Sequence, residues 1–275
     1  MSLSLNVLNH LGLNLYSNIP AVLSETVANS WDADAEIVNV DINSQKKRIV
    51  IKDDGIGMDL KDINEKYLFV GYRKEDHDGR ITPKGRNAMG RKGIGKLSLF
   101  SIANKIEIRT VKAGEKHAFL LDVIDIKKKI SGGANSYDPA PLDISTVDFD
   151  KGTQIVLSEL KKQIHSNPGA LKKRLARRFG IIGEEFAFSV AINGNSISVA
   201  DRDYFHKLQY IWYFGDASKK YADQAINAVN TENRDGALPG TNYSLTGWLG
   251  TVEQSGDLKV GEENLNKILL LSEES

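Results

Sequence analysis

The sequence predicts an α/β protein, and three observations carry that reading. Residues 19–33 place Ile19, Val22, Leu23, Val27 and Trp31 near helical spacing. Residues 36–52 switch to strand-like runs on either side of a short polar link, the pattern of a hairpin. Helix-like and strand-like segments then alternate to about residue 157, without an internal repeat or a low-complexity tract.

The first helix accepts Pro20 because its first turn has no use for an N–H. In the hairpin, Ile37, Asn39 and Asp41 alternate with Val38, Val40 and Ile42, and Ile49, Val50 and Ile51 form the return strand after residues 44–47. Residues 59–69 read as a short helix opened by an aspartate cap. Residues 71–93 scatter Gly71, Gly79, Pro83, Gly85 and Gly90 among charges. Nothing there is expected to pack a core, and so long a loop in a compact domain points to function. Residues 94–103 read as a helix, 105–111 and 117–125 as strands, 131–141 as turns, and 153–157 as a strand. The character changes near Leu160, which puts a domain boundary between 1–160 and 161–275. Beyond it come a basic helix at 171–179, strands at 186–192 and 196–199 around Asn193-Gly194-Asn195, a loop at 214–240, and strands at 243–251 and 267–271. The last residues close no element, so the chain reads as cut from a longer protein.

Bulk composition narrows the function classes. The 275 residues suffice for one large domain or two medium ones, and 41% hydrophobic with 26% charged residues is ordinary for a globular protein. Lys plus Arg and Asp plus Glu balance at 36 each, so a nucleic-acid partner has to be met by a local patch. Cysteine is absent, which excludes disulfides, thiolate metal sites and cysteine nucleophiles and fits a cytoplasmic location. No run approaches the ~18 apolar residues of a membrane span, and no signal pattern opens the chain, so no membrane partner is expected.

Three segments carry candidate chemistry. In Glu25-Thr-Val-Ala-Asn29-Ser-Trp-Asp32, spacings of four and three put Glu25, Asn29 and Asp32 on one helical face, with Val27 and Trp31 toward the core. A carboxylate there can orient or deprotonate a water, and an amide oxygen can complete a magnesium shell that keeps several waters. The same residues also read as a solvated polar face. The second segment, Asp53-Asp54-Gly55-Ile56-Gly57-Met58, directly follows a strand. Its glycines permit close ligand approach, and a strand-end carboxylate can accept from an exocyclic amine such as that of adenine; alone, it also reads as an ordinary turn. A calcium loop is excluded because the alternating oxygen ligands and closing glutamate are missing. The third segment, Gly90-Arg91-Lys92-Gly93-Ile94-Gly95-Lys96-Leu97-Ser98, offers backbone N–H groups and a helix start to an anion, or is simply a glycine-rich turn. It is not a P-loop. Leu97 stands where Ser or Thr would ligate magnesium, and polar residues 80–89 precede it in place of a buried strand.

The order of these segments, followed by Gly152-Thr153-Gln154-Ile155, resembles the GHKL superfamily of gyrase, Hsp90, histidine kinase and MutL over residues 15–160. The resemblance implies the Bergerat fold, an α/β (α+β) sandwich with a mixed, largely antiparallel sheet and helices on one face. It implies ATP or ADP with Mg2+ as bound groups. By resemblance Glu25 is the general base for the attacking water, Asn29 the magnesium ligand, and Asp53 the acceptor for the adenine amine, supported by Thr153. Gly55, Gly57 and Met58 then shape the base pocket, Gly90, Lys92, Gly93, Ile94, Gly95 and Lys96 cradle the phosphates, and residues 71–93 are the ATP lid. Asp32 either touches the site or pairs with a basic residue to fix the helix.

Glu25 sets the subclass, because kinases of the superfamily typically carry another residue there, often Asn or His. Hydrolysis is therefore expected over phosphotransfer, and none of the five histidines lies in a phosphoacceptor helix. Residues 161–275 resemble the start of a transducer-like domain of bacterial Hsp90-like and MORC-like proteins, above all at Gly247-Trp248-Leu249-Gly250-Thr251-Val252, with Lys259 a candidate γ-phosphate switch. The run Lys172-Lys173-Arg174-Leu175-Ala176-Arg177-Arg178 reads as a solvated helix face offset by Glu184 and Glu185, or as a phosphate-contacting patch for nucleic acid. The expected activity is Mg-dependent ATP hydrolysis that drives lid closure and clamp-like homodimerisation of a larger protein, with residues 3–16 an exchange arm outside the core pattern. The alternative is a nucleotide-gated binding module with little hydrolysis. A protein or nucleic-acid client is expected to engage domains beyond this segment.

Overall fold

In the computed structural model, which describes residues 1, 3–5, 18–69, 79, 81–89, 98–161, 167–260 and 263–265, the chain forms two units, Met1–Ile197 and Ser198–Ser275. The first unit starts with a two-residue strand, β1 (Leu3–Ser4), paired antiparallel with Ser136–Tyr137. Leu3 and Leu5 are buried in the main core, which corrects for residues 3–5 the expectation that residues 3–16 lie outside the core pattern; residues 6–16 lie outside the described residues. Helix α1 spans Ile19–Asp32. Asn18 caps it by accepting from Ala21 N at 2.9 Å, and Pro20 sits in the first turn. Val22, Leu23, Val27 and Trp31 are buried, as their spacing predicts.

The hairpin of β2 (Ile37–Asn43) and β3 (Arg48–Asp53) forms where alternation predicts it. Asp59 then opens α2 (Leu60–Asp62) in a capping box with Asp62, and a π-helical turn, Ile63–Tyr67, continues it. After α3 (Leu99–Ile102) come β4 (Ala103–Lys112) and β5 (Glu115–Asp122). The strand expected to reach residue 125 stops early. Asp122 accepts from Ile124 N and Asp125 N, and this cap starts α4 (Val123–Ser131) instead. Short β6 (Ser136–Tyr137) and β7 (Ala140–Pro141), β8 (Gly152–Leu160), α5 (Pro168–Arg178), β9 (Ser189–Ile192) and β10 (Asn195–Ser196) complete the unit.

Eight strands form one sheet in the order β10-β9-β2-β3-β8-β4-β5-β7, antiparallel throughout except for β2 with β9. This is the mixed, largely antiparallel sheet expected. Directly opposed residues share a face, so the register defines rows across the sheet. Ile42, Ile49, Leu157, Ile106 and Leu121 make one row, and Val40, Ile51, Ile155, Ile108 and Phe119 the next. These rows share one core with Leu23 and Val27 of α1, Ile102 of α3, Val123 and Ile126 of α4, and Leu171 and Leu175 of α5. The opposite face carries charge pairs such as Lys52–Asp148 and Glu107–Arg109. The result is a two-layer sandwich with its helices on one face.

The boundary expected at 160/161 falls at 197/198. The reason is physical: β9 adds in parallel to the edge of β2, and α5 buries its apolar stripe in the first unit's core. The second unit has its own core of Phe205, Leu208, Ile211, Ala222, Ala225, Val252 and Leu258. Its three-stranded sheet contains β11 (Tyr210–Phe214), with β12 (Asn230–Arg234) parallel on one side and β13 (Gly247–Thr251) antiparallel on the other. Residues 214–240 are thus not all loop, since they hold α6 (Lys219–Ala222) and β12. The strand expected at 267–271 lies outside the described residues. Among the described residues no helix is long and apolar enough to cross a membrane.

Candidate nucleotide-binding site

One register step beyond the Ile51 row, the inward face of the sheet turns polar. Val38, Asp53, Thr153, Thr110 and His117 oppose one another across β2, β3, β8, β4 and β5. Asp53 thus follows Ile49 and Ile51 in a stripe where alternation calls for an apolar side chain, and it faces α1. Its Oδ1 accepts from Gly55 N at 3.0 Å and from Thr153 N at 3.1 Å. Ser30 Oγ lies 3.1 Å from Asp53 Oδ2 and 3.2 Å from Thr26 O, so its single hydrogen serves one or the other. Burial pushes the Asp53 carboxyl up to about 6, against the pull of the Gly55, Ser30 and Thr153 donors. A carboxylate has about four lone-pair sites, so this one keeps acceptor capacity beyond these three contacts.

Thr110 extends the row. Its Oγ1 accepts from Met58 N at 2.9 Å and lies 3.1 Å from Thr153 Oγ1, which fixes the backbone after the Asp53 turn. Two glycines let that turn run close to the sheet. Gly57 has φ +68° and a Cβ there would lie 2.0 Å from Val111 O; Gly152 has φ +99° and its Cβ would lie 2.0 Å from Asp53 O. Asp54 turns the other way and accepts from Glu36 N and Ile37 N, both at 2.8 Å, as a structural clip at the start of β2. Thr153 donates to Asp53 directly through its backbone N–H.

On α1, Asn29 is exposed and precedes Ser30, so the contact of Ser30 with Asp53 sets the helix beside the polar row. Glu25 lies one turn earlier, a separation of about 5–6 Å between Cβ atoms. Its side chain is 25% exposed, and Oε1 sits 3.4 Å from Arg178 Nη2 at the end of α5. Asp32 is buried and accepts from Met89 N at 2.7 Å. The chemistry of Asn29 fits magnesium. Among the described residues no trio of His, Cys, Asp or Glu is placed to hold a metal. Magnesium bound together with phosphates keeps several waters and needs few protein ligands.

Residues 81–89 are fastened to the end of α1. Trp31 Nε1 donates to Asn87 O at 2.9 Å, and Asp34, at φ 58°, accepts from Thr82 Oγ1 and from Lys84 N at 3.1 Å. The Arg86 guanidinium lies 4.3 Å from the Trp31 ring centroid and donates to Ala35 O and Ala187 O. Thr82 is buried and Met89 packs against the core. The expectation that nothing in 71–93 packs a core is corrected here, because hydrogen bonds rather than an apolar stripe hold the segment. Gly90, Lys92, Gly93, Ile94, Gly95 and Lys96, together with 71–78 of the expected lid, lie outside the described residues.

The profile of the family described as histidine kinase-, DNA gyrase B-, and HSP90-like ATPase matches residues 16–153, half of the chain. The chain belongs to the GHKL ATPase family. The matched span of this GHKL domain takes in α1, the Asp53 turn and Thr153, and the eight-stranded sandwich is the Bergerat fold. The domain is similar to a putative type II restriction enzyme, HgiDII, of Herpetosiphon aurantiacus, with 41% identity over 94% of this chain and 42% of that protein. It is also similar to the chaperone protein HtpG of Francisella tularensis subsp. novicida, 28% identical over 54% of this chain and 26% of the chaperone. The HtpG of Rickettsia typhi is 26% identical over 55% of this chain and 26% of its own length. The chain spans less than half the length of these relatives. GHKL membership implies nucleotide binding.

Sequence reasoning missed Ser30, Thr110 and Arg178 at this site. Thr110 left a readable trace, since it breaks the inward stripe Ile106-Ile108-Thr110 as Asp53 breaks its own. The other two left none.

Proposed function

We propose that this GHKL chain binds ATP with its adenine amine on Asp53 and hydrolyses it with Mg2+. The observation that carries the reading is the polar row with a buried carboxyl of spare acceptor capacity, set against a helix bearing Glu25 and Asn29 one turn apart. Adenine presents a donor to that carboxyl, whereas guanine presents a carbonyl and leaves two acceptors facing each other. Gly55, Gly57 and Met58 line the base, and Gly90, Lys92, Gly93, Ile94, Gly95 and Lys96 offer N–H groups to the phosphates. Asn29 is the residue to hold Mg2+, which when bound offsets the phosphate charge. Glu25 accepts a proton from the attacking water as its oxygen bonds to the γ-phosphorus. The bond from that phosphorus to the β–γ bridging oxygen breaks, giving ADP and phosphate.

In the longer protein, this cycle would drive lid closure and clamp-like dimerisation, with the second unit the start of a transducer-like domain and Lys259 its candidate contact to the γ-phosphate. The likeness over 94% of this chain to a protein named as a restriction enzyme supports a nucleic-acid client.

Phosphate release from ATP by the isolated chain tests the hydrolytic step. Slow, continuous, Mg-dependent release that a chelator stops is the expected result. Nucleotide binding without any release would instead establish a binding module.

A further inference from the structure

We infer that Arg178 is a positioning residue for Glu25, holding the carboxylate in the orientation from which it takes the proton of the attacking water. The inference rests on the hydrolytic reading above. Helix α5 buries Leu171 and Leu175, and Arg178, three residues after Leu175, lies exposed at the edge of that face. The arginine there meets Glu25 of α1, with Nη2 3.4 Å from Oε1.

The backbone that presents Arg178 is fixed at both ends of its helix. Asn167 caps the start by accepting from Gly169 N at 2.7 Å, and Phe179 N donates to Leu175 O at 2.9 Å to close the last turn. Phe179 is buried, which seats that turn on the core. Glu25 is flanked on α1 by buried Ser24 and Thr26, so its backbone is equally fixed. The contact uses Oε1, so in this role Oε2 is the oxygen that takes the proton.

Stability does not account for the pair. Its side chains are 55% and 25% exposed, and ion pairs in that range add little to folding. Orientation is a better use, because a small misplacement of a reacting group slows a reaction far more than it unsettles a fold. The basic run on α5 is thus not wholly a solvated face, since its last member reaches the proposed base.

Steady-state hydrolysis and ATP titration of Arg178→Ala, Arg178→Lys, Glu25→Ala and the Arg178→Ala/Glu25→Ala pair test the inference. For Arg178→Ala, kcat is expected to fall about tenfold, with ATP affinity within about twofold and an unchanged melting temperature. Arg178→Lys recovers part of the rate, and Arg178→Ala has no further effect once Glu25 is gone. An Arg178→Ala enzyme at the parent kcat, one that runs faster, or one that loses ATP affinity in place of rate overturns the role. Equal losses with and without Glu25 overturn it too. If Glu25→Ala itself hydrolyses at the parent rate, the hydrolytic reading fails; if Glu25→Ala is inactive and Arg178→Ala is normal, only the role of Arg178 fails.

Discussion

Asp53→Asn is expected to abolish adenine-nucleotide binding while leaving the chain folded and, at neutral pH, more stable. The amide fits the existing bonds. Its oxygen takes the place of Oδ1 and keeps Gly55 N and Thr153 N as donors. Its NH2 takes the place of Oδ2 and donates to Ser30 Oγ, whose hydrogen turns to Thr26 O. The spare acceptor becomes a donor, which faces the adenine amine and weakens binding by at least about a hundredfold.

The stability gain follows from the raised carboxyl. Burial moves Asp53 from 3.8 to about 6, so between those values the native state binds more protons than the unfolded chain. The contribution of this group to stability therefore falls as pH rises through the window, and stays lost above it. At about 1.4 kcal/mol per pH unit the loss reaches up to about 3 kcal/mol at neutral pH. Asparagine has no such slope. Thermal unfolding of the two proteins should differ most above pH 6 and converge toward pH 4; a variant that unfolds earlier than the parent at pH 7 would contradict the account.

Glu25→Ala is expected to lower hydrolysis at least about a hundredfold, the usual scale for removing a general base, while ATP and ADP still bind within about threefold of the parent. Little else should change. The side chain is partly exposed, and alanine favours the helix it would join. Phosphate release and calorimetry on the same preparation separate the two effects, and hydrolysis at the parent rate would show that another group serves the water.

Short-range pattern made much of this legible. The helical spacing of Ile19 to Trp31, the alternation of β2 and β3, the strand-end aspartate and the glycine before Thr153 all act within a few residues of one another. What stayed hidden depends on register or on distant pairing. Thr110 joins Asp53 and Thr153 only when β3, β8 and β4 are aligned, and nothing within one strand gives that alignment. Arg178 meets Glu25 across 153 positions of chain. Residues 81–89 dock through hydrogen bonds and one stacked arginine, so they lack the apolar signature of a packed segment. Strand β12 reads Asn-Thr-Glu-Asn-Arg with no apolar residue, and only its partner β11 makes it a strand. The boundary moved from 160 to 197 because a strand distant in sequence adds to the edge of the sheet.

Calorimetric titration of the unmodified chain with ADP and, separately, GDP in the presence of magnesium at pH 7.5 tests the pocket most directly. A purine seated on a lone strand-end acid predicts one ADP per chain and GDP at least about a hundredfold weaker. Equal affinity for the two, or heat from neither, would contradict it.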